Sequence, residues 1–434
     1  MFQTLINAFK VKDIRKKILM TLFLLLIFRL GCYIPVPGIN GSEMNTSIGN
    51  NPFLSLLNSV NGGALASGTL FALGITPYIN ASIIMQLLTI GIPPLNRLQQ
   101  QGEDGRKKIA QITRIVTVVL AIVQGIGIVF GYRSIVDKSL FNGSAVWLIY
   151  IIIVLVLTAG TCLTMWIGER ITEYGIGNGI SLLIFVGILS SAGTAIIDSF
   201  TRISVGGEEG TMQVWILLGF LATVVVVFGL IVFVDLAERK INVQYAKQIK
   251  GRKMYGGQST HIPIKVNSSG VMPLIFAFAL LSFPQLITSM AAPESGFAVW
   301  WAQYLGAGSW AYAVVLSVLI LFFAFFYGQI QFNPEDVSRN IQQYGGFIPG
   351  IRPGKPTTDY LKKINNRITL FGAIFLAFIA LVPSLVFKGI VGDGSSLLNA
   401  FSTTGLLIVV SVALEFNKQL EGQLMMKHYK GFLD

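Results

Sequence analysis

Long apolar runs recur along the whole chain, and they constrain its fold more than any other feature. Of its 434 residues, 53% are hydrophobic and only 12% are charged, whereas a soluble domain carries about 25% charged residues. A hydrocarbon core about 30 Å thick needs roughly 20 apolar residues as helix. The sequence therefore predicts a single all-α membrane domain with ten transmembrane helices near 18–34, 70–92, 112–130, 146–167, 180–197, 214–234, 271–290, 310–327, 368–387 and 397–414.

The basic residues lie mainly on one side of these spans. With the N-terminus placed in the cytoplasm, 27 of the 32 Lys and Arg residues lie in or beside cytoplasmic segments, four lie outside, and Arg29 lies within the first span. Cytoplasmic loops of membrane proteins carry such an excess of positive charge. Both termini, including the tail 415–434, are therefore expected in the cytoplasm. Arg29 is expected to extend its charged group towards the outer membrane surface.

The ten spans divide into two sets of five, 18–197 and 214–414. Because five is odd, the second set must cross the membrane in the opposite sense, which permits an inverted repeat. Proline lies near the start of the second span of each set, at Pro77 and Pro273. Paired irregularities of this kind mark transport sites in inverted-repeat proteins. Ordinary membrane-helix prolines are the alternative interpretation.

The second span and the segment before it depart from a simple apolar pattern. The span contains Thr76, Asn80, Ser82 and Gln86, and such groups need a partner or water when they face lipid. It is therefore expected to line a wet or mobile surface. The preceding segment, 52–66, is moderately apolar but too short to span, which favours a re-entrant or interfacial piece. A plain external loop is the alternative.

Two cytoplasmic loops, 235–267 and 329–367, are longer than compact helix bundles need. The first contains seven Lys or Arg residues, and the second has prolines that stiffen a tip bearing Arg352. Positive loops that merely set topology and touch anionic lipid are usually short. The length of these two loops favours a docking surface.

The predicted spans lack the residue combinations that catalysis or metal binding requires. No Asp, Glu, Lys or His lies at the middle of a span, and the two histidines, His261 and His428, lie in cytoplasmic segments. Cys32 and Cys162 belong to separate spans, so neither a disulfide framework nor a zinc site is expected. These absences disfavour an ion-coupled transporter, an intramembrane enzyme and a bound cofactor. The glycine-rich run 175–179 is interpreted as a tight turn and not as a nucleotide-binding loop.

Several motifs, spread over nearly the whole chain, closely resemble the SecY family of bacterial protein-conducting channels. They are IPVPGI at 34–39, GGAL at 62–65, FALGI at 71–75, PYI at 77–79, ITE at 171–173, GIGNGIS at 175–181, NVQYAK at 242–247, QSTHIPIKVN at 258–267, FNP at 332–334 and PGIRPG at 349–354. The resemblance implies a clamshell of two five-span halves around an hourglass pore. The implied function is a passive conduit for unfolded polypeptide that also releases hydrophobic segments sideways into lipid.

The same resemblance implies the residues of the site. The pore constriction falls on Ile75, Ile79, Ile180, Ile184, Ile275 and Ile408. The plug falls on Asn61, Gly62, Gly63, Ala64, Leu65, Ala66, Ser67, Gly68, Thr69 and Leu70. The lateral gate falls on Pro77, Asn80, Gln86 and Pro273. The docking surface for a motor or ribosome falls on Arg252, Lys253 and Arg352.

Partners and location follow from the resemblance as well. The implied partners are small membrane subunits similar to SecE and SecG, a motor ATPase of the SecA type, the ribosome with its RNA, and a nascent or unfolded polypeptide bearing a signal sequence. The implied location is the bilayer of the bacterial cytoplasmic membrane, with no catalytic residue, metal or cofactor. The competing hypotheses are a secondary transporter of a small solute built on an inverted repeat and a membrane-embedded enzyme.

Overall fold

The computed structural model describes residues 2–49, 52–131, 135–137, 146–204, 208–245, 248–250, 253–255, 259–267, 270, 272–291, 296–306, 309–391 and 403–430. Up to the end of the fifth predicted span, the helices are α1 (Phe2–Lys10), α2 (Lys12–Gly31), α3 (Gly41–Gly49), α4 (Pro52–Val60), α5 (Thr76–Gly91), α6 (Pro93–Gln100), α7 (Glu103–Gly131), α8 (Val146–Tyr174) and α9 (Gly179–Ser204).

The later part of the chain combines helices with short strands. These elements are α10 (Glu208–Leu236), β1 (Glu238–Tyr245), β2 (Gln248–Lys250), β3 (Lys253–Tyr255), β4 (Ser259–Lys265), α11 (Met272–Ala291), α12 (Gly296–Leu305), α13 (Trp310–Gln331), α14 (Pro334–Gln343), β5 (Gly346–Phe347), α15 (Lys355–Val391) and α16 (Thr403–Lys430).

A helix of 16 residues or more lies at each of the ten predicted spans: α2, α5, α7, α8, α9, α10, α11, α13, α15 and α16. Within the described residues, six of them are long and apolar enough to cross a membrane on their own, namely α7, α8, α9, α10, α13 and α15. The pair α5 and α6 passes the same test together, with a bend of 99° between the two helices. The predicted helical membrane fold is confirmed.

The second span begins later than predicted and ends in a bend. Residues 70–75 form turns, in which Gly74 has a φ of +54°, a left-handed conformation that stops a helix from extending through it. Pro77 then lies in the first turn of α5, where its missing N–H leaves no hydrogen bond unmade. At the other end, Ile92 is extended and Pro93 starts α6, because the residue before a proline avoids the helical region.

The chain divides into two compact units, which are described separately. The first contains Met1–Leu221, Ala279–Tyr312 and Ser384–Asp434, and the second contains Ala222–Phe278 and Ala313–Pro383. In the first unit, α2 packs on α8 and α9, α5 packs on α7 and α8, and α9 also contacts α4 and α16. The inversion of the two predicted halves, 18–197 and 214–414, stays a prediction.

An apolar core joins the segments between α2 and α5 to the ends of α7 and α8. Its fully buried members include Leu65 and Ile153, which are 1% and 0% exposed. The core consists of Val36, Met44, Ile48, Leu54, Leu65, Ala72, Leu73, Ile128, Val129, Ile135, Val136, Ile149, Ile153 and Leu157. The short helices α3 and α4 are therefore packed parts of the first unit.

The two long cytoplasmic loops fold together within the second unit. Strand β1 pairs antiparallel with β4 from the same loop and with β5 from the other loop, in the order β4-β1-β5. Asn242 lies opposite His261, and Tyr245 lies opposite Gly346. Strands β2 and β3 form a separate hairpin. The sequence analysis predicted loops at 235–267 and 329–367 and missed these strands.

A small apolar core lies under this sheet. Alternate residues of β1, Ile241 and Val243, are buried, as expected for a strand with one covered face. The remaining members come from both loops and from the start of α15, and the cluster consists of Ile241, Val243, Ile264, Ile341, Ile348, Leu361 and Ile364. We call this structure the cytoplasmic subdomain (residues 238–267 and 332–368).

Candidate functional site

Residues 61–75, between α4 and α5, form a buried series of turns that we call the turn segment. It contains the whole predicted plug, 61–70. Gly62, Gly63 and Gly68 have φ values of +69°, +86° and +57°, a left-handed conformation that favours glycine. Within it Ala64 and Leu65 are each only 1% exposed. The structure thus places the predicted plug residues together, directly after α4, in a packed and irregular stretch.

The C-terminal part of the predicted plug is fixed by backbone hydrogen bonds to the connection after α2. The Val36 N–H donates to the Gly68 carbonyl over 3.0 Å, and the Leu70 N–H donates to the Ile34 carbonyl over 2.8 Å. The Thr69 Oγ1 donates to the Ala64 carbonyl over 2.9 Å. These bonds satisfy main-chain groups that would otherwise be buried without partners.

Two asparagines hold the N-terminal part of the turn segment in shape. Asn61 is 3% exposed, and its Nδ2 donates to the Ala72 carbonyl over 2.8 Å. The Ala66 N–H donates to Asn58 Oδ1 over 2.8 Å. A side chain at Gly74 would overlap the Asn61 amide, so the turn closes tightly on itself.

Helices α2 and α9 contact the main chain at the end of α4 and in the first turn that follows it. From α2, Arg29 Nη1 donates to the Gly62 carbonyl over 2.9 Å. From α9, Ser191 Oγ donates to the Ser59 carbonyl over 3.0 Å. Gly187 of α9 approaches the Val60 carbonyl so closely that a Cβ would not fit. The charged group of Arg29 thus binds the protein backbone, and its extension towards the outer membrane surface stays a prediction.

The predicted pore residues are carried by four helices and the turn before one of them. Ile75 precedes α5, and Ile79 follows one turn later, with its N–H donating to the Ile75 carbonyl over 3.1 Å. Ile180 and Ile184 lie one turn apart on α9, which packs on α16, the helix that carries Ile408. In the second unit, α11 carries Ile275. Buried members are Ile75, Ile184 and Ile408, and half-buried members are Ile79, Ile180 and Ile275.

The predicted gate residues lie on α5 and α11. Pro77 and Pro273 both lie in the first turn of their helix, Asn80 is buried, and Gln86 is exposed.

The sequence analysis missed Gln124 on α7, which is 4% exposed and whose Nε2 has no hydrogen-bond partner among the described residues. Its position inside an apolar span was the available signal, because a buried amide needs a partner or water.

The predicted docking residues belong to the second unit. Arg352 is exposed in the turn between β5 and α15, and Thr357 Oγ1 donates to its carbonyl over 2.9 Å. Lys253 lies on β3, whereas Arg252 lies outside the described residues. The exposed basic side chains of the cytoplasmic subdomain include Arg239, Lys240, Lys265, Arg339, Arg352, Lys355, Lys362 and Lys363.

Comparison with known proteins identifies the family. The SecY family model matches residues 69–417. Protein translocase subunit SecY of Streptomyces coelicolor is 45% identical over 442 residues, covering 98% of each chain. The corresponding subunit of Staphylococcus aureus is 41% identical over 434 residues, covering 100% of this chain and 99% of its own.

Solved structures agree on the fold. A structure of a protein-conducting channel matches with a TM-score of 0.66 at 20% identity and covers 94% of this chain and 91% of its own. Sec61 in the canine ribosome-channel complex matches with a TM-score of 0.61 at 18% identity and the same coverage. The chain belongs to the SecY family.

Proposed function

We propose that this chain is the pore-forming subunit of a protein translocase and conducts unfolded polypeptide across the membrane. One observation carries the proposal: identity of 41–45% to translocase subunits, extending over nearly the whole of both chains. The fold of a protein-conducting channel supports it independently. The alternative of a small-solute transporter gains no support from any of these likenesses.

The six isoleucines predicted for the pore are proposed to form its constriction. Apolar side chains in a narrow collar disfavour water and ions, and they yield when a polypeptide passes. The one-turn spacing of Ile75 with Ile79, and of Ile180 with Ile184, puts each pair on one helical face. Such a collar seals without selecting a sequence, which suits a channel that carries many different chains.

The plug is proposed to be α4 together with the turn that ends at Gly63, and we call residues 52–63 the plug segment. The predicted range, 61–70, includes residues whose main chain is bonded to the connection after α2. Displacing them would break those backbone bonds. Residues 52–63 are held by side-chain donors, from Arg29 and Ser191, and α4 is followed directly by two glycines with left-handed φ. Rotation about glycine meets little steric resistance, so Gly62 and Gly63 suit a hinge.

The lateral gate is proposed to lie along α5 and α11, with Asn80 and Gln86 among its residues. An emerging segment with about fifteen apolar residues gains roughly 5 to 9 kcal/mol on entering lipid, at about 0.3 to 0.6 kcal/mol each. A central arginine costs about 2.5 to 3.5 kcal/mol. Partitioning through such a gate therefore separates membrane spans from secreted polypeptide.

The cytoplasmic subdomain is proposed as the docking surface for a SecA-type motor ATPase or the ribosome. Its exposed Lys and Arg side chains suit the phosphates of ribosomal RNA and acidic protein surfaces. The solved Sec61 relative belongs to a ribosome-channel complex. Subunits similar to SecE and SecG are proposed to complete the channel in a bacterial cytoplasmic membrane, and the charge bias supports cytoplasmic termini.

Cross-linking of a stalled secretory polypeptide tests the conduit directly. Single cysteines are placed at Ile79, Ile184 or Ile408 in a chain lacking Cys32 and Cys162. The matched control is a cysteine at Leu189, which is 53% exposed on α9. Efficient cross-links at the three isoleucine positions, and weak ones at Leu189, are expected. Cross-links confined to Leu189 would contradict the pore assignment.

A further inference from the structure

Arg29 is the one charged residue of the first predicted span, 18–34, and its guanidinium has specific partners. Nη1 donates to the Gly62 carbonyl over 2.9 Å, and Nη2 donates to the Tyr33 hydroxyl over 3.1 Å. The guanidinium carbon also lies 5.0 Å from the centre of the Tyr33 ring, within range of a cation–π interaction. The side chain is therefore held in place from two directions.

The acceptor on the plug segment is a main-chain carbonyl at a position that only glycine fits. Gly62 has a left-handed φ of +69°. A Cβ on Gly62 would lie 2.8 Å from Arg29 Nη1 and 3.2 Å from the Cα of Gly187. The backbone at Gly62 is thus enclosed between α2 and α9. Because the acceptor is a main-chain carbonyl, this contact depends on the position of the turn and not on the identity of the side chains in the plug segment.

We propose that Arg29 is a positioning residue that holds the plug segment closed, and that its bond to the Gly62 carbonyl must break before α4 can move. This inference rests on the assignment of residues 52–63 as the plug. A hydrogen bond from a charged donor contributes more than a neutral one, so its loss should shift the balance between closed and open forms roughly 10- to 100-fold. Arg29 then raises the threshold at which the channel opens.

The test uses the complete channel complex, reconstituted in planar bilayers and in vesicles without substrate. One measurement is the resting ion conductance. The other is the rate at which an impermeant thiol reagent labels Val60→Cys in a background of Cys32→Ser and Cys162→Ser. The variants are Arg29→Met, which removes the donor, and Arg29→Lys, which keeps a charged donor. The control is Arg114→Met, which breaks a 2.8 Å contact between α7 and Glu169 on α8.

Arg29→Met is expected to raise the labelling rate and the resting conductance roughly 10- to 100-fold. Arg29→Lys should recover part of the closure, and Arg114→Met should leave both measurements unchanged. The melting temperature of each purified complex separates opening from general destabilisation. A folded Arg29→Met channel with the conductance and labelling of the parent would overturn the inference.

Deletion of residues 53–59 separates this inference from the plug assignment. If the deletion opens the resting channel and Arg29→Met does not, only the role of Arg29 fails. If the deletion leaves the conductance unchanged, the plug assignment itself fails and the proposed role of Arg29 fails with it. When both are correct, Arg29→Met adds nothing to the conductance of the deleted channel, because that channel no longer has the helix that the Arg29 contact holds closed.

Discussion

Ser191 on α9 donates a hydrogen bond of 3.0 Å from its Oγ to the main-chain carbonyl of Ser59, the next-to-last residue of α4. One turn earlier on α9, Gly187 approaches the Val60 carbonyl so closely that a Cβ would overlap it. A single helix therefore holds the end of α4 by a hydrogen bond and by direct backbone approach. Both contacts are made to the main chain of the plug segment.

The close approach at Gly187 predicts that Gly187→Ala opens the resting channel. The added methyl has no room beside Val60, and overpacking of this kind typically costs about 1 to 3 kcal/mol. Displacement of α4 relieves the overlap, so the resting ion conductance should rise severalfold or more.

The matched control for this substitution is Gly193→Ala on the same helix. Gly193 has no heavy atom within 4 Å of the position of a Cβ, and both changes improve helix propensity equally. Conductance of the two variants in planar bilayers is the measurement. Equal and unchanged conductance in both would show that α4 tolerates the methyl without moving.

The hydroxyl of Ser191 predicts a smaller effect of the same sign for Ser191→Ala. A neutral hydrogen bond contributes about 1 kcal/mol, which corresponds to roughly a fivefold change in an equilibrium. The labelling rate of Val60→Cys should therefore rise about fivefold, with Ser190→Ala as the neighbouring control. A rise as large as that of Arg29→Met would mean that charge contributes nothing to closure.

The sequence predicted the helices well because burial in lipid imposes a long, local and continuous apolar pattern. All ten predicted spans contain long helices, and the glycine run before Ser181 is the predicted turn, with Gly177 at a φ of +91°. The predicted end of the second span at Ile92 agrees with the end of α5 at Gly91, whereas helix α6, which starts at Pro93 beyond the bend, was missed.

The remaining errors concern contacts between distant parts of the chain. Strand β1 pairs with β5, about a hundred residues later, through Gln244 and Phe347, and no local pattern specifies such a partner. Likewise, the carbonyl that binds Arg29 lies 33 residues away and carries no side-chain signal. The six pore isoleucines came from family resemblance alone, since an isoleucine in a span has no individual signature, whereas the polar second span and the long basic loops carried a signal of their own.

The apolar core of the cytoplasmic subdomain predicts that Leu361→Ala loosens both docking loops together. Leu361 is 0% exposed within that core, and a buried Leu→Ala change typically costs about 2 to 5 kcal/mol. Limited proteolysis should then cut 248–255 faster, and motor-driven translocation should fall although Arg352 is intact. Gln343→Ala, at an exposed and uncharged position of α14 in the same subdomain, is the control. Faster proteolysis of only one of the two docking loops would contradict the shared core.

The exposed tip at Arg352 predicts that Arg352→Glu impairs motor- or ribosome-driven translocation while the channel stays folded. The conformation of the tip does not depend on the Arg352 side chain, because its hydrogen bonds are made to main-chain carbonyls. Thr357 Oγ1 donates to the Arg352 carbonyl, and Ser338 Oγ donates to the Gly354 carbonyl. Charge reversal at a docking surface slows association and changes its salt dependence.

The rate of translocation into inverted vesicles should therefore fall at least about tenfold for Arg352→Glu. A tenfold fall corresponds to a loss of about 1.4 kcal/mol in the free energy of binding the partner. Arg352→Lys should recover only part of the rate, since lysine keeps the charge but lacks the planar fork of donors. Arg339→Glu, an exposed arginine of α14 in the same subdomain, tests whether general charge is enough. Equal losses at both positions would show that net charge, and not the tip, recruits the partner; unchanged translocation in Arg352→Glu would remove the tip from the docking surface.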